Sequence, residues 1–196
     1  MRLILTRHGE TEENQKGILQ GWRPGHLTAK GKKQAKLLAK RLQQIHIDVI
    51  YTSDLRRCVE TAQEIARHHK DVRFLKEKIL RERKLGEFEG KALGQADWEA
   101  LPGDVYTNKP KGGESFVEVR KRLERFYKKL LQQYKDETIV VVTHGGSLLL
   151  LQGLIYNKDL KSSLKLPQQK HTAISEFEIN RKGRHKVLCL NCEKHL

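Results

Sequence analysis

The chain has 196 residues, with 39 Lys and Arg against 24 Asp and Glu, giving a formal net charge of +15. A hydrophobic fraction of 37% with 15 Gly and 4 Pro excludes a disordered or fibrous chain and fits one domain over residues 1–196. There is no apolar run of membrane-spanning length and no signal-peptide core, so a cytoplasmic protein without a membrane partner is expected.

In chain order, Leu3–Thr6 reads as a short strand that Arg7-His8-Gly9 ends. Thr28–Ile45 reads as a helix. Thr28 is its expected N-cap, and Ala35, Leu38, Ala39, Leu42 and Ile45 lie at helical spacing. Its opposite face is rich in lysine and is expected to be solvated. Asp48–Thr52 is a second strand. Ser53 and Asp54 then read as caps of a helix running to about His68. Residues 83–113 are rich in glycine and irregular, with one short helix expected near Trp98. Connections of that length inside a domain are usually functional or disordered. Glu114–Tyr134 is an amphipathic helix, and Thr138–Thr143 is a continuous β-branched run suited to the centre of a parallel sheet. Ser147–Tyr156 should be a buried helix. Thr172–Ile179 and Lys186–Leu190, around Asn180-Arg181-Lys182-Gly183, suggest a terminal hairpin.

Alternating strands and helices predict an α/β fold with a mostly parallel central sheet and helices on both faces. Ligands of such folds bind beyond the carboxyl ends of the strands. Arg7-His8-Gly9, Ser53–Arg57 and His144-Gly145-Gly146 each follow a predicted strand and should meet at one sheet edge. Two imidazoles beside two guanidinium groups suit a phosphoryl group. Arginine offers a planar fork of donors matched to phosphate oxygens, and a neutral imidazole is a competent nucleophile. Glu82 is the candidate acid for a leaving oxygen. His8-Gly9 alone is weak evidence, and Arg57 alone would read as a helix-face charge. The three cysteines, Cys58, Cys189 and Cys192, are too few for a disulfide scaffold. Cys58 stands beside Arg57, where its oxidation could affect activity. Cys189-x-x-Cys192-x-x-His195 has metal-like spacing but no second ligand pair, so no metal site is expected there.

Leu5-Thr6-Arg7-His8-Gly9-Glu10-Thr11, with Asn14 and Gln20-Gly21-Trp22, resembles the N-terminal signature of the histidine phosphatase (phosphoglycerate mutase-like) superfamily. Thr52–Cys58 with Thr61-Ala62 resembles its second block, and Leu80-Arg81-Glu82 with Gly86 and Glu89-Gly90 its third. Gly112–Ser115 and Val142–Gly146 complete the set, in family order over nearly the whole chain. The resemblance implies a three-layer α/β sandwich and a metal-independent phosphatase without a cofactor. His8 would be the nucleophile that becomes phosphohistidine. Arg7, Arg57 and His144 would hold the phosphoryl group, and Glu82 would protonate the leaving oxygen. Asn14, Gln20, Gly21, Arg83 and Gly145 would line the pocket. The partner expected is a small anionic phosphorylated metabolite, a sugar or glycerate phosphate.

The short Glu82–Glu114 segment favours a phosphatase, whereas the Glu82-Arg83 pair resembles that of cofactor-dependent phosphoglycerate mutases, the alternative reading. Arg81–Gly86 and Glu89–Leu93 further resemble the TIGAR-like fructose bisphosphatases of the superfamily, which puts fructose 2,6-bisphosphate among the candidates. A longer insertion of that branch is missing here, since Tyr134 leads almost directly to Thr138. His171 stands where relatives often carry Asn, and a strand-edge role is favoured over a pocket role. A non-catalytic polyanion-binding protein is a third reading. No aromatic interleaving accompanies the lysines, which argues against nucleic acid.

Overall fold

The computed structural model describes residues 1–196. Its six strands are β1 (Arg2–Arg7), β2 (Val49–Thr52), β3 (Arg73–Lys76), β4 (Thr138–Thr143), β5 (Ile174–Ile179) and β6 (His185–Cys192). They form one sheet in the order β3-β2-β4-β1-β5-β6. β1, β2, β3 and β4 pair in parallel, whereas β5 runs antiparallel to both β1 and β6. The helices are α1 (Glu12–Gln15), α2 (Ala29–Leu42), α3 (Arg56–Ala66), α4 (Phe116–Gln133), α5 (Gly145–Ile155) and α6 (Leu160–Leu164).

The two faces of the sheet build two cores, as the period of 2 in a strand requires. Leu3, Leu5, Ile139 and Val141 pack with Val119, Leu123 and Phe126 of α4 and Leu148 and Leu151 of α5. Ile4, Val140 and Val142 pack with Leu38 and Leu42 of α2 and Ala62 and Ile65 of α3. β4 is apolar on both faces because a helical layer covers each, and its central four residues are fully buried. The architecture is the expected three-layer α/β sandwich.

The connections create the site. From β1 the chain passes through α2 to β2, on the far side of β4. From β4 it passes through α5 to β5, on the other side of β1. The strand order therefore reverses between β1 and β4, and a crevice opens beyond their carboxyl ends. Arg7 lies directly opposite Thr143 in the ladder, so His8 and His144 leave the sheet side by side. Gly9 and Gly31 allow the chain after β1 to cross the start of α2 in backbone contact. A Cβ on Gly9 would sit 2.5 Å from the Gly31 carbonyl oxygen, and one on Gly31 would collide with the Glu10 carbonyl.

Several local expectations need correction. Thr28 does cap α2, accepting the Gly31 N–H at 2.9 Å. Ser53 and Asp54 do not cap α3, which starts after Leu55 and ends at Ala66. Their side chains serve tertiary partners instead: Ser53 meets His144, and Asp54 takes a bidentate pair of bonds from Arg81 at 2.6 and 2.7 Å. The 83–113 segment is irregular as expected. Its helical turns lie at Gly86–Phe88 and Leu93–Gln95, and Trp98 follows them in a bend. α5 begins at Gly145, two residues before Ser147, so the glycines after His144 form its first turn.

Candidate active site

His8 is 3% exposed, and its Nδ1 lies 2.7 Å from the Gly9 carbonyl oxygen. A carbonyl can only accept, so Nδ1 carries the proton and Nε2 keeps a bare lone pair. Burial, then the charges of Arg57 and Arg7, hold the imidazole pKa well below its usual value. His8 is therefore neutral near pH 7, the form a nucleophile needs.

The His144 ring lies 5.3 Å from that of His8, centroid to centroid. Its Nδ1 accepts the Arg57 Nε–H at 3.2 Å, which leaves Nε2–H to donate to Ser53 Oγ at 2.8 Å. Burial and Arg57 lower its pKa well below the usual value as well. Arg57 is 1% exposed, although it sits in the first turn of a helix that otherwise faces outward in part. Its Nη1 donates to the Arg23 carbonyl at 2.7 Å and its Nη2 to the Gly21 carbonyl at 2.9 Å. One guanidinium thus joins the second histidine to the loop after α1. Gly21 fits there with φ of 49°, a left-handed conformation, and a side chain would run into Glu89.

Arg7 donates through Nη1 to the Gln169 carbonyl at 3.3 Å. Its Nε is buried and has no partner. Buried donors are nearly always satisfied, so this one fits an anion that completes it.

Glu82 stands on the wall shared with His8, in irregular backbone two residues after the 3₁₀ turn Lys78–Leu80. Its carboxyl oxygens accept the Arg83 N–H at 2.9 Å and the Gly146 N–H at 3.0 Å. Each keeps a second lone pair that can carry a proton. The Glu82 carbonyl is held by Trp22 Nε1 at 2.7 Å and Arg122 Nη2 at 2.9 Å. Arg122 in turn pairs with Glu114 at 3.1 Å.

These groups border a cavity of about 270 Å³ lined by Arg7, His8, Arg57, Glu82 and Gly146. Asn14, Gln20, Gly21 and Arg83 also line it, as predicted from sequence. Gly145 does not: it lies against Arg7, and the next glycine takes the wall position. Asn14 is partly occupied, because its Oδ1 accepts the Thr11 N–H at 3.2 Å in a capping box. Sequence reasoning missed Ser53 as a partner of His144, and the apolar wall of Ile18, Leu19, Leu85, Trp98 and Phe116. His171 takes the strand-edge position favoured for it and does not line the cavity. It bridges to Arg7 at the strand edge, and its ring also packs 5.4 Å from His8 while Nδ1–H donates to the His8 carbonyl at 3.0 Å. Cys58 is fully buried against the His144 ring, and burial pushes its thiol up to about 12. Burial thus disfavours the thiolate, which is the form that oxidises readily.

Guanidinium charge that does not titrate, gathered around neutral imidazoles at a sheet switch point, is an environment for handling phosphoryl groups. Comparison with known proteins supplies the family: the chain belongs to the histidine phosphatase superfamily (branch 1), whose model matches residues 3–192. It is 38% identical over 167 residues to phosphoserine phosphatase 1 of Hydrogenobacter thermophilus, covering 82% of this chain and 78% of that protein. It is 33% identical over 180 residues to a 2,3-bisphosphoglycerate-dependent phosphoglycerate mutase of Brucella anthropi, covering 83% and 86%. A solved structure of a putative α-ribazole-5'-P phosphatase from Escherichia coli superposes with a TM-score of 0.89 at 29% identity, covering 97% of this chain and 96% of that one. The family and its phosphatase members make this chain a phosphatase, a hydrolase of phosphate esters.

Proposed function

We propose that the chain hydrolyses small phosphate monoesters through a phosphohistidine at His8, without metal or cofactor. The bare Nε2 of a neutral His8, beside the unsatisfied Arg7 Nε, carries this reading. The Nε2 lone pair attacks phosphorus and the bond to the ester oxygen breaks. Glu82 delivers a proton to that oxygen as it leaves. In the second half, Glu82 takes a proton from water, whose oxygen attacks phosphorus and displaces His8. Phosphate departs and the imidazole is restored. Arg7 and Arg57 supply the counter-charge that phosphoryl transfer elsewhere takes from Mg²⁺.

A mutase must also hold a second phosphoryl group. The likeness to mutases and the Glu82-Arg83 pair favour that reading, but Arg83 is poorly free for the task. Its Nε is bound to the Glu114 carbonyl at 2.7 Å and its Nη2 to the Asn108 carbonyl at 3.0 Å. The same geometry weighs against the TIGAR-like reading, whose fructose bisphosphate substrates also carry two phosphoryl groups. A cytoplasmic location is part of the proposal, supported by three unpaired cysteines.

The test is hydrolysis of p-nitrophenyl phosphate in EDTA by wild type and His8→Ala. The variant is expected to lose at least about a thousandfold in kcat. Equal rates would remove His8 as nucleophile. Interconversion of 3- and 2-phosphoglycerate, with bisphosphoglycerate present, is expected to be absent; efficient interconversion would install the mutase reading. Retention on nucleic acid should be weak, against the polyanion-binding reading.

A further inference from the structure

Resting on the phosphomonoesterase reading, we infer that the cavity selects esters whose organic part is carbon-rich and carries no second phosphoryl group. The cavity wall carries two chemistries: Arg7, His8, Arg57, Glu82 and Arg83 are charged or polar, whereas Ile18, Leu19, Leu85, Trp98 and Phe116 are apolar. None of these five is fully buried, so each keeps apolar surface that a bound leaving group can cover.

The indole is a fixed wall: it meets Phe88 edge to face, with centroids 4.9 Å apart and planes at 81°. Beyond Arg7 and Arg57, Arg83 is the one further cation on the cavity wall. Its guanidinium stacks 4.2 Å from the Phe116 ring centroid and 5.4 Å from that of Trp98. With Nε and Nη2 tied to backbone carbonyls, only Nη1 is without a hydrogen bond. A second phosphoryl dianion is recognised best by a bidentate fork or several cations. Arg83 keeps only the two N–H groups of Nη1, without the fork of paired nitrogens, whereas an apolar ring finds five side chains.

The experiment compares 2-phenylethyl phosphate, glycerol 3-phosphate and fructose 1,6-bisphosphate as substrates. All three leave as aliphatic alkoxides, so differences report recognition rather than leaving-group acidity. The phenylethyl ester is expected to lead in kcat/KM by about tenfold, the value of roughly 55 Å² of apolar surface removed from water at about 25 cal/mol per Å². The advantage should lie mainly in KM. Trp98→Ala should shrink the lead to within about threefold, and Trp98→Phe should keep most of it, with a thermal melt reporting whether each variant is folded. Equal or higher kcat/KM for fructose 1,6-bisphosphate would overturn the selectivity, as would a folded Trp98→Ala that loses equally on all three. No hydrolysis of any ester, p-nitrophenyl phosphate included, would overturn the phosphomonoesterase reading and the selectivity with it.

Discussion

Lowering the pH from 7.5 to 5 is expected to destabilise the fold through three histidines that are held below the usual imidazole range when folded. His8 and His144 are held well below the usual imidazole range by burial and by Arg57, and His171 is held at about 4 by burial and Arg7. In the unfolded chain each takes a proton near pH 6.5. Below that value the unfolded state binds more protons than the native one, so stability falls as pH falls. The contribution is complete above the unfolded pKa and is lost progressively below it. At pH 5 His171 accounts for about 2 kcal/mol, a large share of the 5–15 kcal/mol typical of a domain, and His8 and His144 act in the same direction. His69 and His195 are lowered by burial too, but they are more open to water and add less. Glu10 and Asp54, held low by Lys30 and Arg81, release stability only at more acid pH, which is why the window stops at 5. Urea unfolding at both pH values, followed by circular dichroism, measures the difference. His171→Asn removes one of the three groups, so its acid loss should be about 2 kcal/mol smaller than that of wild type. A wild-type loss below about 2 kcal/mol, or the same loss in the variant, would refute the reasoning.

Glu82→Gln should slow alkyl phosphates about a hundredfold and p-nitrophenyl phosphate about tenfold or less, because a basic leaving oxygen needs the proton most; a uniform loss would contradict the role. Arg57→Lys should cost about a hundredfold or more in kcat/KM, since an ammonium cannot serve His144 and the carbonyls of Arg23 and Gly21 together. Gly31→Ala sets helix propensity against a backbone collision with Glu10. Propensity favours Ala by about 1 kcal/mol, but overpacking against rigid backbone outweighs it, so Tm should fall by about 5 °C. Gly146→Ala would put a methyl 2.6 Å from Glu82 Oε1 and should lower kcat while the melt stays close to wild type.

The central layers were legible because their patterns are strong. β4 is continuous and β-branched, α4 has a single apolar face, and the strand-end rule puts His8, His144 and Arg57 at one sheet edge. The edge of the sheet was not legible. β3 consists of Arg73-Phe74-Leu75-Lys76, mostly exposed, and a short charged edge strand carries almost no period-2 signal. α3 was found but its caps were misassigned, because Ser53 and Asp54 have the chemistry of caps and tertiary contacts claimed it. The apolar cavity wall stayed hidden for another reason. Trp98 and Leu85 come from a segment without periodicity, where nothing in the spacing says which side chains turn inward. Gly145 and Gly146 differ only in which N–H of the first helical turn meets Glu82, a distinction of geometry rather than composition.

The sulfur of Cys58 lies beneath the His144 ring with no access to solvent, in a thiol that stays protonated. It cannot meet an alkylating reagent while the layers are closed. Its labelling rate therefore counts the moments when α3 separates from the sheet at the edge that carries His8 and His144. Mass spectrometry distinguishes that slow modification from any at Cys189 and Cys192, which are only partly buried. The protein thus carries its own clock for local opening, and phosphate or vanadate bound in the crevice should slow it in proportion to occupancy.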